Sequence, residues 1–131
     1  MKIGLVITMA DDLAKEIVNF LKDYTNDVIK GIERQSIKIA NKGVKELKRT
    51  SPRRFHGGKH YADGWGRSTV DNAQVIHNKS KPTLTHLLEY GHAKQNGGRV
   101  AGKAHIGPVE DRVVEEYEKM VERVIKNGGD L

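Results

Sequence analysis

The residues in this chain best suited to chemistry are His86, Glu89 and His92, which form a His-x-x-Glu-x-x-His series, with His105 following. Imidazole and carboxylate are the ligands zinc takes where thiolate is lacking, and the chain has no cysteine. Side chains at i and i+3 share a helix face, so His86 and Glu89 are placed to act together. Helical zinc hydrolases, however, space their two histidines four apart with the general-base Glu beside the first, or use His-x-x-Glu-His. Here Gly91 stops the helix before His92, so the series reads as structural. His56 and His60 have only Asp63 as a nearby carboxylate. Ser51, Ser68 and Ser80 lack a nucleophile elbow, no glycine loop ends in Lys-Ser/Thr, and no paired carboxylates stand out. The chain is therefore expected not to be an enzyme and to need no cofactor or metal.

Around these residues lies a small chain of 131 residues, 37% hydrophobic and 31% charged, with two Phe, four Tyr and one Trp. That length fits a single domain over 1–131. Its core must consist mostly of Val, Ile, Leu and Ala, and a core this lean is one that neighbouring subunits commonly support. No apolar run reaches the ~20 residues of a membrane span, and residues 1–8 are too short for a secretory signal. The expected compartment is the cytosol, without a membrane partner.

Residues 1–8 (MKIGLVIT) suit a short strand, and Thr8 with Asp11 resembles a capping box, so a helix is expected from about Ala10. From there to Arg49 there is no proline, and only Gly31 and Gly43 interrupt, which allows one long helix or two broken near Gly31. Val28, Ile29, Ile32, Ile37, Ile39, Ala40, Val44 and Leu47 form its apolar side, and Leu13, Ile17, Phe20, Leu21 and Tyr24 keep a similar spacing upstream. Ser51-Pro52 ends the helix. Residues 53–66 read as a glycine-rich loop, and Trp65–Val70 with Ala73–Asn78 as a hairpin about Asp71-Asn72. Thr83–Tyr90 suits a short helix, and Arg99–Ala104 a strand within a second loop. A last helix, Val109–Lys126, opens at Pro108 and ends at Gly128-Gly129. Its inner face is expected to carry Val113, Val114, Tyr117, Met120, Val121, Val124 and Ile125. The fold class is α+β: a long N-terminal helix and a C-terminal helix packed on a small antiparallel sheet, with a short helix and flexible loops at about 52–66 and 92–107.

Charge is unevenly distributed. The formal net is +6, but residues 30–67 hold eleven Lys/Arg against three Asp/Glu. Lys30, Arg34, Lys38, Lys42, Lys45 and Arg49 make a basic stripe opposite the apolar side. Such a stripe suits an anionic partner or a plain solvated face. It lacks the interleaved Asn, Gln or Ser of a base-reading helix, so any DNA contact would be nonspecific. Tyr61, Trp65 and Tyr90 are candidates for stacking on bases, and better ones for core or interface anchors.

The succession Ser51-Pro52, Tyr61-Ala-Asp-Gly-Trp65, His86-Leu-Leu-Glu-Tyr-Gly-His92, Asn96-Gly-Gly-Arg99 and His105-Ile-Gly-Pro108 resembles the tail-component family of long-tailed bacteriophages. The resemblance covers about residues 11–126 and is most specific over 87–108; Arg-Arg-Phe-His at 53–56 departs from the turn such proteins carry there. It implies a structural neck protein, tail-completion or head-tail joining, that assembles as a homo-oligomeric ring in the virion after synthesis in the host cytoplasm. The implied partners are copies of itself, head-connector and tail-tube proteins, and packaged DNA by nonspecific contact. Within it, Arg53, Arg54, Lys59, Tyr61, Trp65, Lys94, Arg99 and Lys103 fall in assembly segments, and Leu87, Glu89, Tyr90, Gly91, His92, His105 and Pro108 set the local architecture. The competing expectation is a small basic nucleic-acid-binding domain, with a His/Glu metallohydrolase a distant third.

Overall fold

A computed structural model describes residues 2–53 and 60–130, with side chains described from residue 12. Helix α1 spans Lys2–Thr50. A 3-10 turn at Tyr61–Gly64 leads into strands β1 (Trp65–Val70) and β2 (Ala73–Asn78). A second 3-10 turn at Pro82–Leu84 runs into helix α2 (Thr85–Tyr90), followed by β3 (Gly91–Ala93), β4 (Arg99–Ala101) and helix α3 (Ile106–Lys126). The class is α+β, as expected, with the strands in two separate antiparallel ribbons, β1–β2 and β3–β4. No described helix is long and apolar enough to cross a membrane.

Three boundaries differ from the sequence reading. The segment expected as a strand before Thr8 is helical from Lys2, because a short apolar run fits either period and extending an existing helix avoids the cost of nucleation. Thr8 and Asp11 therefore lie inside a helix and do not mark its start. Helix α3 begins at Ile106, ahead of Pro108, which falls in the first turn where its missing N–H costs nothing. The 92–107 segment holds a ribbon, with Gly91 paired to Ala101 and Ala93 to Arg99, so the strand ends at Ala101 and stops short of Ala104.

The chain divides into two compact units, residues 1–34 with 120–131 and residues 35–119. In the first, Gly31 lets α3 approach α1: a Cβ there would lie 2.7 Å from the Gly129 carbonyl oxygen and 2.9 Å from Val124 Cγ1. Gly31 therefore serves as a contact point, and the helix runs on unbroken. Met120 and Val124 are buried, the Tyr24 hydroxyl donates to the Ile125 carbonyl, and Arg34 Nη2 donates to the Gly129 carbonyl at 3.1 Å. The end of α3 is a Schellman cap: Gly129 N–H reaches Val124 O and Gly128 N–H reaches Ile125 O, both glycines having positive φ. Upstream, Leu13, Ile17, Val18, Phe20 and Leu21 are exposed.

In the second unit the core is Leu47, Tyr61, Trp65 and Val109, extended by Val44, Ile76, Leu84, Leu88, Ile106 and Val113. Gly43 plays the part that Gly31 plays in the first unit, with Ile76 and Val113 closing on it. The β1–β2 hairpin pairs Trp65 with Asn78 through Val70 with Ala73, and both turn residues, Asp71 and Asn72, have positive φ, the signature of a type I′ turn. The expected inner face of α3 is narrower than its apolar composition. Val109, Met120 and Val124 are buried, whereas Val114, Tyr117 and Ile125 are exposed. The arc that a neighbouring α-helix can cover spans only part of the apolar stripe.

Replacing Gly31 with Ala improves helix propensity by ~1 kcal/mol but drives a methyl into backbone that cannot yield. A net loss of about 1–2 kcal/mol is expected in urea unfolding; a stabilised variant would show that the close approach is absent.

Candidate functional site

Among the described residues, the buried polar side chains are Ser51, Asn78, Glu89 and His105. All four lie in the second unit, and hydrogen bonds show why they are there. Glu89 is the penultimate residue of α2, two residues before the chain turns at Gly91, and its carboxylate faces the start of α3. Oε1 accepts from His105 N–H at 2.7 Å and Ile106 N–H at 3.0 Å, and Oε2 accepts from the same pair at 3.2 and 2.8 Å. These are N–H groups that the first turn of a helix leaves without partners, and a negative charge is favoured there by the helix dipole. One carboxylate thus caps a helix beginning seventeen residues later in the chain.

His105 is pinned from both ring nitrogens. Its Nδ1 lies 2.7 Å from the Lys103 carbonyl, so Nδ1 carries the hydrogen and donates. Nε2 then accepts from the Tyr61 hydroxyl at 2.9 Å. The Tyr61 ring packs edge-on against both His105 and Trp65, with centroids 5.5 and 5.6 Å apart. Trp65 Nε1–H donates to Ser51 Oγ at 2.8 Å, which ties the exit of α1 to the start of β1. Asn78 Nδ2 donates to the Tyr61 carbonyl and its Oδ1 accepts from Lys81 N–H. Among the described residues no buried side-chain nitrogen or oxygen is left without a partner.

Two glycines bring the backbones this close. A Cβ at Gly91, where φ is +81°, would lie 2.2 Å from the Val100 carbonyl oxygen, and one at Gly102 would lie 2.4 Å from the Glu89 carbonyl oxygen. The Leu88 carbonyl at the end of α2 accepts from Lys103 N–H at 2.8 Å.

Tyr61 and Trp65 are buried in this centre, so as assembly-surface candidates they are corrected: they are core residues, with no face free for a partner. Of the architectural set, Glu89, Gly91 and His105 lie at the centre. Leu87, Tyr90, His92 and Pro108 are exposed; within α2 it is Leu88 and Glu89 that turn inward. Tyr90 stacks on His86 at 6.2 Å. The His-x-x-Glu-x-x-His series is thus dispersed: Glu89 is spent on backbone N–H groups, His86 on Tyr90, and His92 lies on β3 beyond the turn. Among the described residues no group of three His, Asp or Glu is placed to hold a metal.

The cationic candidates lie at the surface. Arg53 pairs with Asp63 at 3.0 Å and holds that carboxyl below its ordinary range, and Arg99 donates to the Tyr90 carbonyl. Lys94 is exposed in the β3–β4 turn. Arg54, Lys59 and His56 lie outside the described residues. In the basic stripe, Lys42 is paired with Glu116, which raises its pKa, while Lys30, Lys38, Lys45 and Arg49 are exposed. A cleft over the His105 end of the network gathers Arg49, Lys103 and Arg112, joining the foot of the stripe to the second glycine segment. The sequence reading missed Asn78 and Gly102, whose signals are an Asn closing a strand before a Pro turn and a Gly directly after a short β run. Comparison of the chain with protein-family models, curated proteins and solved structures finds no match.

Two outcomes follow from the centre. Glu89→Ala strands two backbone donors and is expected to cost about 2–3 kcal/mol in urea unfolding, with Glu89→Gln near 1 kcal/mol; an unchanged midpoint for the alanine variant would refute the cap. Burial, and secondarily the negative Glu89, push the Tyr61 phenol up from 10.0 to about 12. Because the folded value is raised, the stabilisation is complete below about pH 10 and is lost as pH rises through about 12. Ultraviolet titration should therefore show a late phenolate step that Tyr61→Phe abolishes.

Proposed function

We propose that this chain is a structural subunit of a long-tailed phage neck, a tail-completion or head-tail joining protein that assembles as a ring between the head connector and the tail tube. The observation that supports the reading is where its motif residues go. Ser51, Tyr61, Trp65, Glu89 and His105, five of the residues that carry the resemblance, are joined through one buried network of hydrogen bonds and ring contacts. A motif used for chemistry keeps its groups available to a substrate. These five spend their polar groups on one another and on backbone, which fits a role in fixing the geometry of a scaffold.

The exposed apolar residues on α1, Leu13, Ile17, Val18, Phe20 and Leu21, agree with a subunit completed by contacts with other chains. The nucleic-acid reading has less support. Two of the six stripe cations, Arg34 and Lys42, already serve contacts within the chain, which leaves nonspecific contact with packaged DNA as the stripe's secondary use.

The test is genetic and structural together. The gene is expected to lie between portal or capsid genes and tail-tube genes, and its deletion to leave DNA-filled heads and separate tails in electron micrographs. Joined, infectious particles made without it would overturn the proposal.

A further inference from the structure

Three cations from three parts of the second unit meet at one cleft. It has a volume of about 490 Å³ and lies where the end of α1, the segment leading into α3 and the first turns of α3 come together, all within residues 35–119. Arg49, Lys103 and Arg112 line it, and no acidic residue does.

These cations are placed by the fold without being used up by it. Arg112 Nε donates to Glu46 Oε2 at 3.1 Å, which orients the guanidinium and leaves both terminal amino groups without a partner among the described residues. Lys103 is fixed through its backbone, its N–H on the Leu88 carbonyl and its own carbonyl on His105 Nδ1, while its ammonium makes no ion pair among the described residues. Arg49 stands exposed on the last turn of α1, likewise unpaired among them.

A fourth donor on the wall is buried. Ser51 is 4% exposed; its Oγ accepts from Trp65 Nε1, and its own hydroxyl hydrogen has no acceptor among the described residues. The hydroxyl of the neighbouring Thr50 is spent on the Glu46 carbonyl, so Ser51 alone keeps a donor to offer. A buried O–H of this kind is satisfied by an oxygen that enters the cleft.

We propose that the cleft is a binding site for a phosphate group. Three positive charges, less the one that Glu46 offsets beside Arg112, leave two, which match a phosphate dianion. Glu89, on the far side of His105, has both oxygens on the N–H groups that open α3, where the helix dipole offsets its charge. A carboxylate offers two oxygens in one plane and suits a single guanidinium fork. A phosphate offers oxygens in several directions, and so can meet donors from α1, from Lys103 and from α3 at once. A free phosphate and a nucleic-acid backbone both present that group, and the test separates them. The proposal does not rest on the neck assignment, since it concerns what the cleft binds and not what the chain assembles into.

Isothermal titration calorimetry of the full chain measures binding of inorganic phosphate and of a short DNA oligonucleotide, each at one ionic strength held with sodium chloride. One variant carries Arg49→Gln and Lys103→Gln; a control carries Lys81→Gln and Lys94→Gln, which removes the same charge from exposed positions outside the cleft. Circular dichroism checks that both keep their helix content. The cleft variant is expected to bind ~10-fold or more weakly than wild type, since it loses two charge-assisted contacts, and the control within ~2-fold. Saturable binding of inorganic phosphate that the cleft variant loses assigns the site to a free phosphate; binding of the oligonucleotide alone, lost in the same variant, assigns it to a nucleic-acid backbone. Saturable binding of neither, a cleft variant as tight as wild type, or an equal loss in the control would each overturn the proposal.

Discussion

Much of the second unit depends on one carboxylate. Glu89 accepts from the N–H groups of His105 and Ile106 with both oxygens, and those are the donors that start α3. A capping side chain normally comes from the residue next to the helix it caps. Here it comes from the end of another helix, so the cap also fixes where α2 stops relative to where α3 begins. The intervening β3–β4 ribbon must then fit a set distance, and that is why Gly91 and Gly102, each with a backbone oxygen where a Cβ would stand, lie at its two ends. The ring of His105 hangs from the same point and carries the constraint on through Tyr61 and Trp65 to Ser51.

The order of burial follows from the scarcity of large apolar residues. With one Trp, three Tyr and one Phe between residues 35 and 119, the unit cannot build a core of aromatic bulk. It buries Tyr61, Trp65 and His105 together instead, at the cost of covering a hydroxyl, an indole N–H and an imidazole. Each must then be paired, because an unmatched polar group in a low-dielectric interior costs about 1–3 kcal/mol. The pairing also gives direction, since a hydrogen bond between Trp65 and Ser51 allows fewer arrangements than a contact between two leucines would.

The sequence made the elements legible where punctuation was strong. Asp71-Asn72 between β-branched runs marked the hairpin, Ser51-Pro52 the end of α1, and Gly128-Gly129 the end of α3, because each acts through its own backbone. It misled where a tertiary partner decides the outcome. Residues 1–8 carry no period long enough to separate strand from helix, and the apolar positions Val114 and Tyr117 continue a stripe that no described element covers. Of the centre, Glu89, Gly91 and His105 could be singled out by their pattern. That Glu89 caps a distant helix could not, since nothing local to Glu89 distinguishes a metal ligand from a cap.

Helix α1 shows a separation of another kind. Its apolar positions recur at the same interval as its charges: Ile17, Val28 and Ile39 are eleven apart, as are Leu21, Ile32 and Gly43. An apolar stripe on a seven-residue repeat beside charges on an eleven-residue one would slide past them along a straight helix, and the two faces would mix within a few turns. Sharing the longer repeat keeps both in phase. This is also why the net charge of the whole chain says little about α1: Asp12, Asp23, Arg34 and Lys45 recur every eleven residues, so acids and bases cancel in the sum while remaining apart along the helix.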